Sequence, residues 1–240
     1  MSNTNKTKKH VQKKYETREV LESLNTTAAT GEKFLQKYAK YIGIVFGVVV
    51  LIALGYVLYQ NYVITPKNTQ ASDLVLDAED LYLQEKTDQA LGGKNGGISG
   101  FADIAEEYGT TASGELAALY AGVIEFKKGN YQKALDFFQK FDSSDKDLKA
   151  VKYGAIADTY VELNNNDEAL NYMTKAAKES TNSATAFQFN KKAGILAMAI
   201  GQNDKALAFF QTIKDKYPDT DPTGEVDAYI ERLKYATGKE

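Results

Sequence analysis

The sequence predicts an all-α chain, with a single N-terminal transmembrane helix followed by a helix-pair solenoid. Three observations carry that expectation. Residues 41–60 hold no charged side chain. Beyond residue 70 the apolar residues recur at helical spacing. A set of small, turn and large apolar residues then returns with its anchoring alanines, Ala134, Ala169 and Ala206, separated by 35 and 37 positions. That is the period of stacked helix pairs.

Charge is distributed unevenly. Residues 1–40 form a Lys-rich tail, nine basic against four acidic side chains, net +5. Residues 61–240 sum to −8, so the formal −3 of the 240-residue chain averages unlike parts. Val20, Leu21 and Leu24 suggest one short amphipathic helix in an otherwise polar tail. The chain has no Cys and a single His, His10. This excludes a disulfide framework, a thiolate nucleophile, a Cys-ligated metal and any His-based catalytic triad within one chain.

The uncharged run at 41–59, YIGIVFGVVVLIALGYVLY, is about 28 Å long as a helix, close to the ~30 Å hydrocarbon core of a bilayer. Lys37 and Lys40 flank one side, and Tyr38, Tyr41, Tyr56, Tyr59 and Tyr62 mark the two edges, where amphipathic rings favour the headgroup level. The 40-residue basic region before it and the lack of a small-x-small site after it argue for a retained anchor over a cleaved signal. The Lys-rich side is expected to stay in the cytoplasm and the acidic side to cross the membrane. Gly43 and Gly47 form a GxxxG pair that would let another membrane helix approach closely. Residues 61–70 read as a linker in which Pro66 breaks the helix.

Residues 71–240 are expected to form one solenoid domain. Three windows align: Gly122, Gly129, Tyr131, Ala134, Phe138; Ala157, Asn164, Asn166, Ala169, Met173; and Gly194, Gly201, Asn203, Ala206, Phe210, ending at Pro218. The small residue lets the first helix of a pair approach its partner. Gly129, Asn164 or Gly201 ends that helix in a left-handed turn. The alanine sits where helices cross, and the large side chain fills space one turn later. Upstream, residues 69–114 read as a degenerate pair: a long amphipathic helix, the loop GGKNGGISG at 92–100, and a short helix FADIAEEYGTT. The loop lacks the spacing of either phosphate-binding signature and no strand precedes it, so it reads as a flexible connection. TGEVDAYIERLKYA at 223–236 reads as a terminal capping helix with Asp227, Glu231, Arg232 and Lys234 outward.

These positions resemble the tetratricopeptide repeat. Its usual first-helix aromatic is present at Tyr160, but Glu125 and Ala197 stand at the equivalent places. The order of Lys-rich tail, membrane helix, linker, degenerate pair, Gly-rich loop and FADIAEEYGTTASGELAALYAG, running into GNYQKAL, resembles the bacterial YfgM-like family. Its members are membrane-anchored tetratricopeptide ancillary subunits of the Sec translocon. The resemblance implies an inner-membrane protein with a cytoplasmic N-terminus and a periplasmic C-terminal domain. It implies contact with the translocon channel, a membrane-anchored periplasmic chaperone and translocating polypeptides, and no catalysis or cofactor.

The residues themselves point to protein binding. The repeat register suggests a concave groove lined by Leu119, Val123, Phe126, Asp158, Val161, Glu162, Lys191, Ile195 and Met198. The acidic clusters DAED, DSSDKD and PDTDP offer carboxylates without a converging base, nucleophile or EF-hand pattern. A domain at −8 repels nucleic-acid phosphate. An adaptor for outer-membrane biogenesis or cell division is the alternative to a role beside the export channel.

Overall fold

The computed structural model describes residues 37–92, 97–221 and 224–238. The basic tail up to Gln36, with its expected Val20–Leu24 helix, and residues 93–96 of the Gly-rich stretch lie outside the described residues. Among the described residues the regular structure is helical and there is no strand. The chain divides into two units, Met1–Asn61 and Tyr62–Glu240.

In the first unit, α1 (residues 37–59) is uncharged from Tyr41 onward and all of its residues are exposed. Its composition and length suffice to cross a membrane. Gly43 and Gly47 lie on this helix with no atom within 4 Å of where a Cβ would stand.

A π turn, Gln60–Ile64, leads into α2 (Thr65–Leu83), with Pro66 in its first turn. The expected break at Pro66 does not occur, and helical backbone runs from Lys37 to Leu83. Pro has no N–H to donate, but in the first turn of an α-segment it need not donate one, and its fixed φ suits that position. The π turn upstream accommodates the change of hydrogen-bond register.

The second unit continues with α3 (Thr87–Gly92) and α4 (Phe101–Glu107). Three pairs follow: α5 (Ala112–Lys127) with α6 (Tyr131–Lys140), α7 (Lys146–Glu162) with α8 (Asn166–Glu179), and α9 (Ser183–Ala199) with α10 (Asn203–Lys216). A 3-10 turn at Pro218–Thr220 precedes α11 (Glu225–Thr237).

The three inner turns use one mechanism. Gly129, Asn164 and Gly201 have φ of +79°, +58° and +76°. After each, the next N–H reaches back five residues: Asn130 to Glu125 O at 2.9 Å, Asn165 to Tyr160 O at 2.9 Å and Gln202 to Ala197 O at 2.8 Å. These are Schellman closures, which satisfy carbonyls left over at a helix end. α2 ends in the same way, with Glu85 at φ +60° and the Lys86 N–H on Leu81 O at 3.0 Å. The degenerate first pair is therefore α2–α3, joined by the turn that the other pairs use. At the opposite ends, the side chains of Thr111, Asp145, Asn165 and Asn182 accept from first-turn N–H groups of α5, α7, α8 and α9.

Packing follows the small-to-large pattern. A Cβ on Gly122 would stand 2.6 Å from the Phe138 ring, and one on Gly194 would stand 2.7 Å from the Phe210 ring. The middle pair has Ala157 and Met173 at the equivalent places, both buried in one cluster. Gly154 admits the Phe189 ring of α9 in the same manner. Ala134, Ala169 and Ala206 are fully buried. The last helix buries Val226, Ile230 and Leu233 against the core, leaving Asp227, Glu231 and Arg232 exposed; Lys234, expected to face outward too, is half-buried. It closes the solenoid with a polar outer face.

Candidate protein-binding face

The first helices of successive pairs lie side by side in a register fixed by polar contacts about 34 residues apart. Asp147 in the first turn of α7 accepts from the Thr181 hydroxyl at 2.6 Å, the Thr181 N–H at 2.7 Å and the Asn182 N–H at 3.2 Å, just before α9. These bonds hold its carboxyl below the usual aspartate value, the Thr181 hydroxyl contributing most. Further along, Lys192 of α9 pairs with Asp158 of α7 at 2.7 Å. Lys191, on the other flank of α9, pairs with Glu225 of α11. The Lys191–Glu225 hydrogen bond raises the lysine's pKa and lowers the glutamate's. Helix α11 thus stands where the first helix of a fourth pair would stand.

These contacts define the flanks, and the side chains between them define the open side. On α7 the flank toward α9 carries Asp147 and Asp158. Next around the helix come Leu148 and Val151, both exposed, then Ala155, which packs on the cluster of Ala134, Leu135, Phe138 and Ile156, and Glu162, which accepts from Tyr131. Leu148 and Val151 are 45% and 42% exposed, a high value for aliphatic side chains in a domain core. On α9, between Lys191 and Lys192, the open side carries Gln188, Ile195 (43% exposed) and Ala199.

The residues expected from the sequence fall in three groups. Leu119, Val123 and Phe126 are half-buried and pack against the cluster of Ala134, Leu135, Phe138 and Ile156. Asp158 and Lys191 are committed to ion pairs between neighbouring helices, and Met198 is half-buried against the C-terminal core. Val161, Glu162 and Ile195 are exposed, and the Tyr131 hydroxyl donates to Glu162, which raises the tyrosine's pKa. Sequence reasoning missed Leu148 and Val151. Their signal was available: two large aliphatics in a segment that otherwise reads DKDLKAVKYG.

On the α5–α6 pair, the neighbouring first helix is α2, which packs along α5. The Ser113 N–H donates to the Asn68 side chain at 2.9 Å, the Tyr120 hydroxyl donates to Glu79, and the Lys127 ammonium donates to the Tyr82 hydroxyl at 2.6 Å. The bond to Glu79, with burial, pushes the Tyr120 pKa up to about 12. The Tyr120 ring stacks on Phe101 at 4.7 Å. Glu125, at the place of the usual first-helix aromatic, is buried and accepts from the Asn130 side chain at 2.6 Å, tying the end of α5 to the start of α6.

Comparison with known proteins agrees with this architecture. No curated protein matches the chain. A crystal structure titled "Crystal structure of MamA protein" superposes with a TM-score of 0.50 at 15% identity, covering 73% of this chain and 85% of that one, a likeness of fold alone. The family described as "Tetratricopeptide repeat-like domain" matches residues 32–233. The chain therefore belongs to the tetratricopeptide repeat-like family, whose solenoids serve as protein-interaction scaffolds.

Proposed function

We propose that the protein is a membrane-anchored scaffold that binds other proteins on the periplasmic side of a bacterial inner membrane, beside the protein-export channel. In this reading residues 1–40 are a cytoplasmic tail, residues 41–60 span the bilayer, and residues 71–240 form the periplasmic binding domain. The observation that carries it is the repeat-like solenoid itself, with Leu148, Val151 and Ile195 exposed on its first helices α7 and α9. Exposed aliphatics rimmed by ion pairs are the chemistry of a protein-binding surface. The orientation rests on a tail at +5 against a domain at −8. The export channel, a membrane-anchored periplasmic chaperone and newly translocated chains are proposed as partners on the resemblance to the YfgM-like translocon subunits.

Affinity purification of the full chain from membranes in mild detergent tests this. Recovery of export-channel and chaperone subunits is expected. Recovery of outer-membrane assembly or cell-division proteins, with none of the export machinery, would replace the reading with that of an adaptor in another envelope complex.

A further inference from the structure

We propose that the outward side of α2, at the N-terminal end of the solenoid, seats a basic amphipathic helix of another protein as one more first helix of the stack. The inference rests on the scaffold reading in taking the partner to be a protein, and it names a surface and a chemistry that the reading leaves open. The repeat supplies the geometry. Glu85 and Gly129, the left-handed residues that close α2 and α5, are 44 positions apart, as are Ala78 and Gly122. By that interval Ser113, Tyr120 and Lys127 of α5, which meet α2, correspond to Thr69, Leu76 and Leu83. The same row on α9 holds Lys192, which meets Asp158 of α7. This row therefore faces the preceding first helix, and among the described residues of the solenoid no helix precedes α2. Leu76 is 61% exposed and Leu83 78%, whereas Tyr120 in the covered row is half-buried.

A second row, Asp73, Asp77 and Asp80, runs beside the leucines and is exposed. Its counterparts on α5 are Ala117, Ala121 and Ile124, all buried in the cluster that α5 shares with α2 and α4. An inner helix thus fills this row with apolar side chains, and α2 fills it with carboxylates. Among the described residues none of the three aspartates is in an ion pair. Glu79, on the side toward α5, is taken by the Tyr120 hydroxyl, and the Lys86 ammonium donates to the Gln84 side chain at 2.8 Å. The two rows describe the occupant. Leucines one heptad apart ask for an apolar ridge, and carboxylates three and four residues apart beside them ask for Lys or Arg on the incoming helix. A second copy laying its own α2 here would set Asp against Asp, a like-charge contact that disfavours it. The same charges repel anionic lipid and nucleic acid. The occupant is a helix of another protein, apolar along one line and basic along the next.

The test uses the full chain in nanodiscs of zwitterionic lipid and a fluorescent helical peptide of three Leu-Lys-Ala-Leu-Lys-Ala-Ala heptads. The matched control carries Glu for every Lys. By anisotropy, with empty nanodiscs subtracted, the Lys peptide is expected to bind about tenfold tighter than the Glu peptide. Leu76→Ser with Leu83→Ser weakens it by a similar factor, and Asp73→Lys with Asp80→Lys inverts the preference between the two peptides. Asp136→Lys with Asp215→Lys, the same change of charge at exposed positions of α6 and α10, leaves the preference in place. All the substituted side chains are exposed, and circular dichroism checks that the helices persist. Equal binding of the two peptides, binding indifferent to the leucine pair, or inversion by the α6 and α10 pair overturns the seat. A dimer of the chain that Leu76→Ser with Leu83→Ser dissolves, seen by mass photometry, also overturns it, because a second copy is then the occupant. If export partners are still recovered by affinity purification when the seat fails, the scaffold reading stands and the seat alone is lost.

Discussion

Gly122 and Gly194 each face a phenylalanine ring, whereas the equivalent Ala157 faces the region filled by Met173. The larger first-helix residue goes with the slimmer, more flexible second-helix one. Gly122→Ala should therefore destabilise the fold by about 1–3 kcal/mol through overpacking. Adding Phe138→Met should recover much of that loss by reproducing the middle pair. Denaturant midpoints of the two single variants and the double variant measure the coupling. This size match was legible as three aligned windows, although the ring contact behind it needed coordinates. Asp147 was legible only as part of an acidic loop, and its partners lie 34 and 35 residues away. Its carboxyl is held below the ordinary aspartate value, so the stability it contributes is present at neutral pH. That contribution is lost as pH falls below about 4, the unfolded-state value, toward the lower folded-state one. Asp147→Asn should lower the urea midpoint at pH 7 and flatten its decline between pH 5 and pH 3.

At the scale of elements, the three Schellman turns could be read from Gly129, Asn164 and Gly201, because those residue types tolerate a left-handed backbone. The fourth could not, because Glu85 occupies the same conformation with a side chain that disfavours it. The pattern of α2 therefore reads through to Glu85 and the short α3 is invisible to periodicity. Glu85→Gly should relieve that strain and stabilise the unit by roughly 0.5–1 kcal/mol, seen as a raised thermal midpoint. Gly129→Ala should cost about 1 kcal/mol for the converse reason. Pro66 shows the opposite limit. As a residue type it signals a break, but at the first turn of α2 it is compatible with helix on both sides, and only the backbone shows the π turn before it.

For the whole molecule, the long apolar helix was legible from its uncharged composition, and the helix-pair solenoid from the repeat period. Which first-helix side chains stay exposed was not. On a first helix that touches neighbours on both sides, the open side is a narrow sector, and an error of one residue turns a position by 100° into the interface. Leu119, Val123 and Phe126 fell on such an inner sector, whereas Leu148 and Val151 occupy the outer one. No sequence signal indicated that α2 would pack on α5, since the residues that meet lie 45 positions apart.

In the proposed role, this outer sector grips proteins at the outer face of the membrane. A photo-crosslinking amino acid at Val151, activated in living cells, tests it most directly. Adducts with membrane-bound or secreted proteins of the envelope are expected, and they are lost when Leu148 is replaced by Asp. Adducts with cytosolic proteins alone, or none from Val151 while a buried-edge position such as Phe126 yields them, would contradict it.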